Sequence, residues 1–383
     1  MKIILEAQYT CSAEPRGISH YTIQVIRQLL KRHRYSYELT FFDGNREMGN
    51  YSRIEKHFSS FNVPTHECNT ISYRETFSNR EIYKDKSYND YTGAYGDIFH
   101  FFNLVSIPGN LKGEMVVTIH DMLHVKHPEY YSPRAVEMIK FNLCYLEKMN
   151  PIIITPSKSA KEDVLHLTNT PESKIYVVPE SFDEQSCLYP NDTGLLSSLG
   201  IYKPYLLFLS ANAGNKNLCR IIDAFESLAE RFSDILLVIA GGTAILPDYQ
   251  ALSKISESRF SDRIITTGYV TDEQKHVLYS NALVFLFPSL FEGFGLPILE
   301  AMARGCPVIT SNVSSMPEVA GDAAILIDPY NTEQLAHEIE RVISSNTLRD
   351  EMKRKGLEQC KKFSWDKTAA MTEDVYGVAA NCF

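Results

Sequence analysis

Pro288–Glu300 reads PSLFEGFGLPILE, and an apolar run from Ala282 to Phe287 leads into it. The stretch holds two carboxylates, Glu292 and Glu300, with seven residues between them. Gly293, Gly295 and Pro297 crowd around the first, and ILEAMA after Pro297 reads as a helix. Strand, glycine-rich turn and helix in that order leave backbone N–H groups and a helix N-terminus open at one point, which suits an anionic or hydroxyl-rich ligand. At ~1.5 Å per residue, Glu300 is expected about two turns into the helix, so the carboxylates meet an extended ligand at two separated points rather than sharing a proton.

Outward from this stretch, apolar runs alternate with amphipathic helical stretches, the pattern of a parallel α/β sheet. Met1–Leu5, Leu39–Phe42, Ile98–Phe101, Met115–Ile119, Ile152–Thr155 and Ile175–Val178 read as strands, and Ile18–Leu30 as a helix. A second series runs Tyr205–Leu209, Ile235–Ala240, Ile264–Thr267, Leu283–Phe287, Val308–Thr310 and Ala324–Ile327. Between the series, Glu184–Lys203 is polar and carries Pro190, Gly194 and Gly200, a linker composition. A chain of 383 residues is long for one core. The expectation is therefore an N-terminal domain 1–183, a linker 184–203 and a C-terminal domain 204–363. Ligands of open α/β sheets bind beyond the carboxyl ends of the strands, so the two halves are expected to face across a cleft. Residues 44–95 lack a clean period and read as a long, partly ordered loop with one helix. SKSAKED reads as a capping box of Ser159 with Glu162.

A net charge of −9 argues against general nucleic-acid binding. No run of about 18 apolar residues is present, so no membrane-spanning helix is expected. MKIILEAQYT reads as a first buried strand rather than a secretory signal. Lys31–Arg34 (KRHR) has two readings: a solvated helix end, or a contact with anionic lipid headgroups. The eight cysteines form no C-x-x-C pair and no zinc spacing, and read as free buried thiols of a reducing, cytoplasmic compartment.

The two spaced glutamates around EGFGLP resemble the retaining, nucleotide-sugar-dependent glycosyltransferases of the GT4 (group 1) type, which have the two-domain GT-B fold. The resemblance runs from Gly268 to Pro329 and continues through TIHD (118–121), TPSKSAKEDV (155–164), VVPESFD (177–183) and FSW (363–365). It implies two Rossmann-like parallel-sheet domains, the donor on the C-terminal one and the acceptor on the N-terminal one. A last helix, about 364–383, is implied to cross back to the first domain. Tyr73, Tyr83, Tyr88, Tyr91 and Tyr95 then become acceptor candidates beside ordinary loop packing, since aromatic faces suit sugar rings.

The same resemblance distributes roles. His120 would hydrogen-bond the donor sugar and phosphates, with Asp121 orienting it or touching the acceptor. Gly17 and Ile18, in RGISHYT, would offer a glycine turn and a helix start to phosphate. In SANAGNKN, Ser210, Asn212, Lys216 and Asn217 would surround the diphosphate, with Lys216 neutralising it. The family usually places an arginine there as well; here Asn212 and Asn215 stand instead. LVIAGGT (237–243) lacks the dinucleotide glycine pattern, so Gly241 and Gly242 read as a tight turn beside the donor. Tyr269 and Val270 would meet the nucleobase. The N–H groups of Phe294, Gly295 and Leu296, next to Gly293, would face sugar hydroxyls and phosphate. Glu292 would hold sugar hydroxyls and Glu300 the ribose; the plainer reading of Glu300, a surface charge on the helix ILEAMA, is set against its apolar neighbours, which favour a buried and paired carboxylate.

No Asp-x-Asp occurs in the chain, so neither a bridging metal nor another cofactor is expected. The expected partners are a nucleotide-diphosphate sugar, with GDP-mannose favoured, and a saccharide or lipid-linked saccharide acceptor of bacterial surface polysaccharide. The lipid would place the enzyme peripherally at the inner face of a membrane. Two alternatives stand beside this: a sugar-nucleotide epimerase or phosphorylase on the same fold, and a catalytically silent donor-binding subunit.

Overall fold

A computed structural model describes residues 1–12, 17–42, 50–242, 244 and 246–381. Arg16, Thr243, Cys382 and the start of the 44–95 stretch lie outside the described residues. The chain divides into two compact units, one of 1–128, 133–180 and 364–383, the other of 129–132 and 181–363.

The first unit is built on seven strands: β1 (Lys2–Glu6), β2 (Ser36–Phe42), β3 (Thr65–Cys68), β4 (Ile98–Phe101), β5 (Glu114–Thr118), β6 (Ile152–Thr155) and β7 (Ile175–Val177). Their order is β3-β2-β1-β4-β5-β6-β7 and every pairing is parallel. Alternation feeds both faces: Ile3 and Leu5 of β1 enter one core and Ile4 the other. The second unit holds β8 (Tyr205–Leu209), β9 (Leu236–Ala240), β10 (Ile264–Gly268), β11 (Val284–Phe287), β12 (Val308–Ser311) and β13 (Ile325–Ile327). Their order is β10-β9-β8-β11-β12-β13, again all parallel. Tyr205 and Leu207 pack on one face of this sheet, Leu206 and Phe208 on the other.

The strand order reverses direction beside β1 and β4 in the first sheet and beside β8 and β11 in the second. The loops leaving those strands splay apart at a reversal and open a crevice. In the second unit they are SANAGNKN and PSLFEGFG, the two segments that the sequence marks for chemistry.

Several expectations need correction. The 44–95 stretch contains β3 and three helices, Asn50–Phe58, Tyr73–Ser78 and Tyr88–Thr92, the last two each closed by a capping box. Their short lengths hid the period. Tyr83 and Tyr88 are core residues, and the Tyr88 hydroxyl bonds Thr40, so neither is open to a sugar. Residues 184–203 are packed rather than free: Ile201 is buried in the second core, with Leu196 and Leu199 against it. Ser157, not Ser159, caps the helix Lys158–Leu167, accepting from Ala160 N at 3.0 Å. Cys144 is exposed, contrary to the reading of uniformly buried thiols.

The closing helix Trp365–Ala380 lies in the first unit against the helix Ile18–Arg32. Glu373, fully buried, accepts from Arg32 Nε at 2.9 Å and from the Tyr37 hydroxyl at 2.9 Å. Arg32 also meets Asp366 at 2.7 Å, and Arg34 meets Asp374 at 2.6 Å. Two cations of the KRHR patch therefore tie this helix down. Tyr376 bonds His100 at 2.6 Å, whose ring burial drives down to a pKa of about 3, so that it is neutral.

Candidate functional site

The second unit gathers most of the expected donor residues around the reversal in its sheet. After β8, Gly214–Lys216 forms one short turn and Asn217 adopts a left-handed conformation, φ 62°, that starts the helix Leu218–Ala229. The buried Asn217 side chain donates to Pro288 O at 2.9 Å and Pro329 O at 2.8 Å, and accepts from Arg220 at 2.8 Å. It is a staple between loops, not a free ligand for phosphate. Asn215 donates to Phe291 O and Asn212 to Asp248 O, both at 3.3 Å. Each amide N–H₂ thus gives one of its two donors to a carbonyl, and the buried Asn212 Oδ1, without a partner among the described residues, can only accept. Neither asparagine supplies a second cation's worth of donors. Ser210 N bonds Ala240 O at 3.0 Å, and Gly241 N bonds Gly268 O at 2.8 Å. Gly241 has φ 125°, and a Cβ there would sit 2.1 Å from Ser210 O, so only glycine permits this seam.

Lys216 reaches the EGFG turn. Its ammonium meets Glu292 Oε1 at 2.6 Å and lies 5.4 Å from the centre of the Phe287 ring. Both members of the pair are mostly shielded from solvent. Ser314 and Ser315 fix the turn from below: both hydroxyls donate to Glu292 O, at 2.6 and 2.9 Å, and Ser315 also donates to Phe294 O. Gly295 has φ 102° and begins the helix Leu296–Ala303, with Pro297 in its first turn. The N–H groups of Phe294, Gly295 and Leu296 make no hydrogen bond to another described residue. Three successive amides at a helix start make an electropositive cradle.

Glu300 is the fifth residue of that helix, little more than one turn in, not two. Its carboxylate accepts from Lys275 at 2.9 Å and from the Tyr279 hydroxyl at 3.3 Å. Burial lowers the Lys275 pKa, but the Glu300 charge and hydrogen bond outweigh it and the net shift is upward, so the pair is ionic. Arg304 donates to Glu300 O at 2.8 Å and stacks over Tyr279. Lys275, Arg304 and Arg220 escaped the sequence reading. Lys275 sits on another helix, Asp272–Asn281, and no local pattern ties it to Glu300. Tyr269 is 62 % exposed, whereas Val270 is buried and its side chain belongs to the core.

The first unit holds His120, just past β5. Its Nε2 lies 3.0 Å from Phe102 O and its Nδ1 2.9 Å from Glu180 Oε1. A carbonyl only accepts, so Nε2 carries a proton, and the Glu180 carboxylate accepts a hydrogen bond from Nδ1–H. Burial pushes the ring pKa down, but Glu180, Phe102 O and Asp121 together raise it. Both ring nitrogens thus face acceptors, an arrangement that favours the protonated ring, with Tyr21 edge-on at 4.7 Å. Glu180, in VVPESFD, is a functional neighbour that the sequence did not assign. Gly17, φ 39°, starts the helix with Ile18 as expected for a glycine turn.

Among the described residues, no three His, Cys, Asp or Glu side chains gather as a metal site, and no helix is long and apolar enough to cross a membrane. Residues 198–359, which contain the Lys216–Glu292 and Lys275–Glu300 pairs, match the family model described as glycosyl transferases group 1. The matched stretch is that of a group 1 glycosyltransferase, and the protein is a glycosyltransferase. It is 29 % identical over 314 residues to the O-antigen chain mannosyltransferase B of Escherichia coli, covering 80 % of this chain and 79 % of that one. It is 27 % identical over 274 residues to the serotype-specific mannosyltransferase WbdA of Escherichia coli, covering 69 % of this chain but only 34 % of WbdA. The fold is similar to that of a solved structure, Anabaena Alr3699/HepE in complex with UDP and glucose, with TM-score 0.73, 16 % identity, and 98 % and 99 % of the two chains covered. This glycosyltransferase thus has the two parallel sheets of the GT-B class.

Proposed function

We propose that this glycosyltransferase moves a hexose, mannose in the favoured reading, from a nucleotide-diphosphate sugar to a saccharide or lipid-linked saccharide of a bacterial surface polysaccharide. The observation that carries the reading is the Lys216–Glu292 pair beside the open amides of Phe294–Leu296, with Glu300 one turn further on. A diphosphate takes the Lys216 ammonium and the amides; Glu292, released, accepts hydroxyls of the sugar, and Glu300 those of the ribose. In the reaction the bond from the anomeric carbon to the β-phosphate oxygen breaks, and one to the acceptor oxygen forms on the same face. The acceptor proton leaves to the departing phosphate. Negative charge grows on that phosphate, where Lys216 and the helix start stabilise it. The reaction needs no metal. His120, held between Phe102 O and Glu180, orders the end of β5 on the first unit. The mannosyltransferase names of the relatives support mannose; the UDP of the structural neighbour keeps uridine donors in the test. An acceptor on a lipid places the reaction in the cytoplasm at the inner membrane face.

A thermal-shift panel with GDP, UDP, dTDP, ADP and their hexose conjugates tests this. A donor at 100 times its Kd adds about 2.7 kcal/mol of stability. One nucleotide should stabilise the protein, and Lys216→Ala and Glu300→Ala should abolish the effect. The anomeric configuration of the product, read by NMR, should match the donor. Silence towards every nucleotide would overturn the reading.

A further inference from the structure

Two cavities of the first unit share one wall residue, Tyr73, and differ in chemistry. The first, of about 480 Å³, is lined by Gln8, Tyr9, Ser12, Ser19, Arg53 and Tyr73. Amide, hydroxyl and guanidinium groups between two aromatic rings are the chemistry of a saccharide pocket. Arg53 is fixed in this wall by bonds to Cys11 O and Asn50 Oδ1, both at 3.1 Å. Tyr73 is fixed edge-on to Tyr9, 6.3 Å between centroids, and against Phe42 at 5.8 Å.

The second cavity, of about 820 Å³, lies beyond Tyr73 between the helices Tyr73–Ser78 and Pro133–Met149. Met138 and Phe141 line it, and Phe141 is 46 % exposed. Phe141 packs on Tyr145, 5.1 Å between ring centroids, and with Met138 gives this cavity an apolar wall. Arg74 and Arg134 stand at the same cavity, both exposed and neither ion-paired among the described residues, against one carboxylate, Glu137. Both volumes fall in the range of ligand pockets, roughly 300–1,000 Å³.

We propose that the two cavities form one site for an amphipathic acceptor, a sugar head joined through phosphate to a hydrocarbon chain, laid across Tyr73. The sugar fills the polar cavity, the arginines meet the phosphate, and the chain lies on Met138 and Phe141. A free saccharide would leave the apolar wall and the arginines unused, and a bare hydrocarbon would leave the polar cavity unused. The proposal rests on the first unit being the acceptor half, and selects the lipid-linked class from the two that the function allows.

Calorimetric titration of the full chain with methyl α-mannoside, farnesyl phosphate and farnesyl phosphomannose tests it, all below micelle-forming concentration. The conjugate should bind at least tenfold tighter than either half, because the second contact becomes intramolecular. Phe141→Glu, and separately the pair Arg74→Ala with Arg134→Ala, should weaken the conjugate tenfold or more and leave methyl α-mannoside unchanged. Arg53→Ala should weaken both mannose-bearing probes. Urea unfolding followed by the fluorescence of Trp365, in the core of the same unit, reports that each variant is folded, and nucleotide binding by the same samples keeps a failure here separate from a failure of the donor reading. A conjugate that binds no tighter than farnesyl phosphate overturns the two-part site, as does an unchanged affinity in Phe141→Glu. Equal binding of wild type and these variants to phosphatidylglycerol vesicles, with no gain for the conjugate, would make the face a plain membrane surface instead.

Discussion

Glu6 closes β1 with its side chain almost wholly buried, and replacing it by glutamine should change how stability depends on pH. Oε1 accepts from Gln8 N at 3.0 Å, while Oε2 has no partner among the described residues. Burial pushes the pKa up from 4.5 to about 8, only partly opposed by Gln8 and Ser106. The folded chain therefore keeps a proton that the unfolded chain gives up. The resulting stability is fully present below pH 4.5 and is lost as pH rises towards 8. At about 1.36 kcal/mol per pH unit, the loss at pH 8.5 is roughly 4 kcal/mol. Glu6→Gln keeps the shape and cannot ionise. Its stability should match wild type within about 1 kcal/mol at pH 4.5 and exceed it by roughly 4 kcal/mol at pH 8.5. Other titrating groups cancel in the difference between the two proteins. Trp365, the single tryptophan, lies in the core of the same unit, so urea titrations followed by its fluorescence report the right transition. Parallel pH profiles for the two proteins would refute the buried, protonated carboxyl.

Lys275→Met keeps the aliphatic stem but removes the cation that positions Glu300; donor KM should rise about tenfold with kcat within about threefold, and an equal fall in kcat would show a role beyond positioning. Gly241→Ala drives a Cβ into Ser210 O and should cost about 3 kcal/mol or more, seen as a lowered melting temperature and lost nucleotide binding. Glu373→Ala leaves Arg32 and Tyr37 without their buried acceptor and should cost about 3 kcal/mol, read by Trp365 fluorescence. A smaller effect than 1 kcal/mol would mean that Asp366 and Asp374 alone hold the closing helix.

The central strands were legible because they are short apolar runs buried on both faces; Ile98–Phe101, Ile152–Thr155 and Tyr205–Leu209 are found where their residues place them. β3 was not, since Thr65–Cys68, THEC, is a partly exposed edge strand with no apolar run. The glycine-rich turn before Leu296 was legible for a local reason: only glycine tolerates φ 102° there, and proline suits a first helical turn.

What each polar side chain does was decided elsewhere. Lys216 and Glu292 lie 76 residues apart, His120 and Glu180 60 apart, and Arg32 and Glu373 341 apart. The local rules of strand, turn and cap fixed which backbone segments form and which loops leave the sheet at its reversal. The choice of partner for a buried charge depends on what the parallel crossovers bring within hydrogen-bond distance. Thus the chain alone specified two α/β halves and a glycine turn for an anionic ligand. Only the packed structure made Asn217 a staple, Glu300 a partner of Lys275 and His120 a partner of Glu180, because desolvated groups must pair with whatever the fold sets beside them.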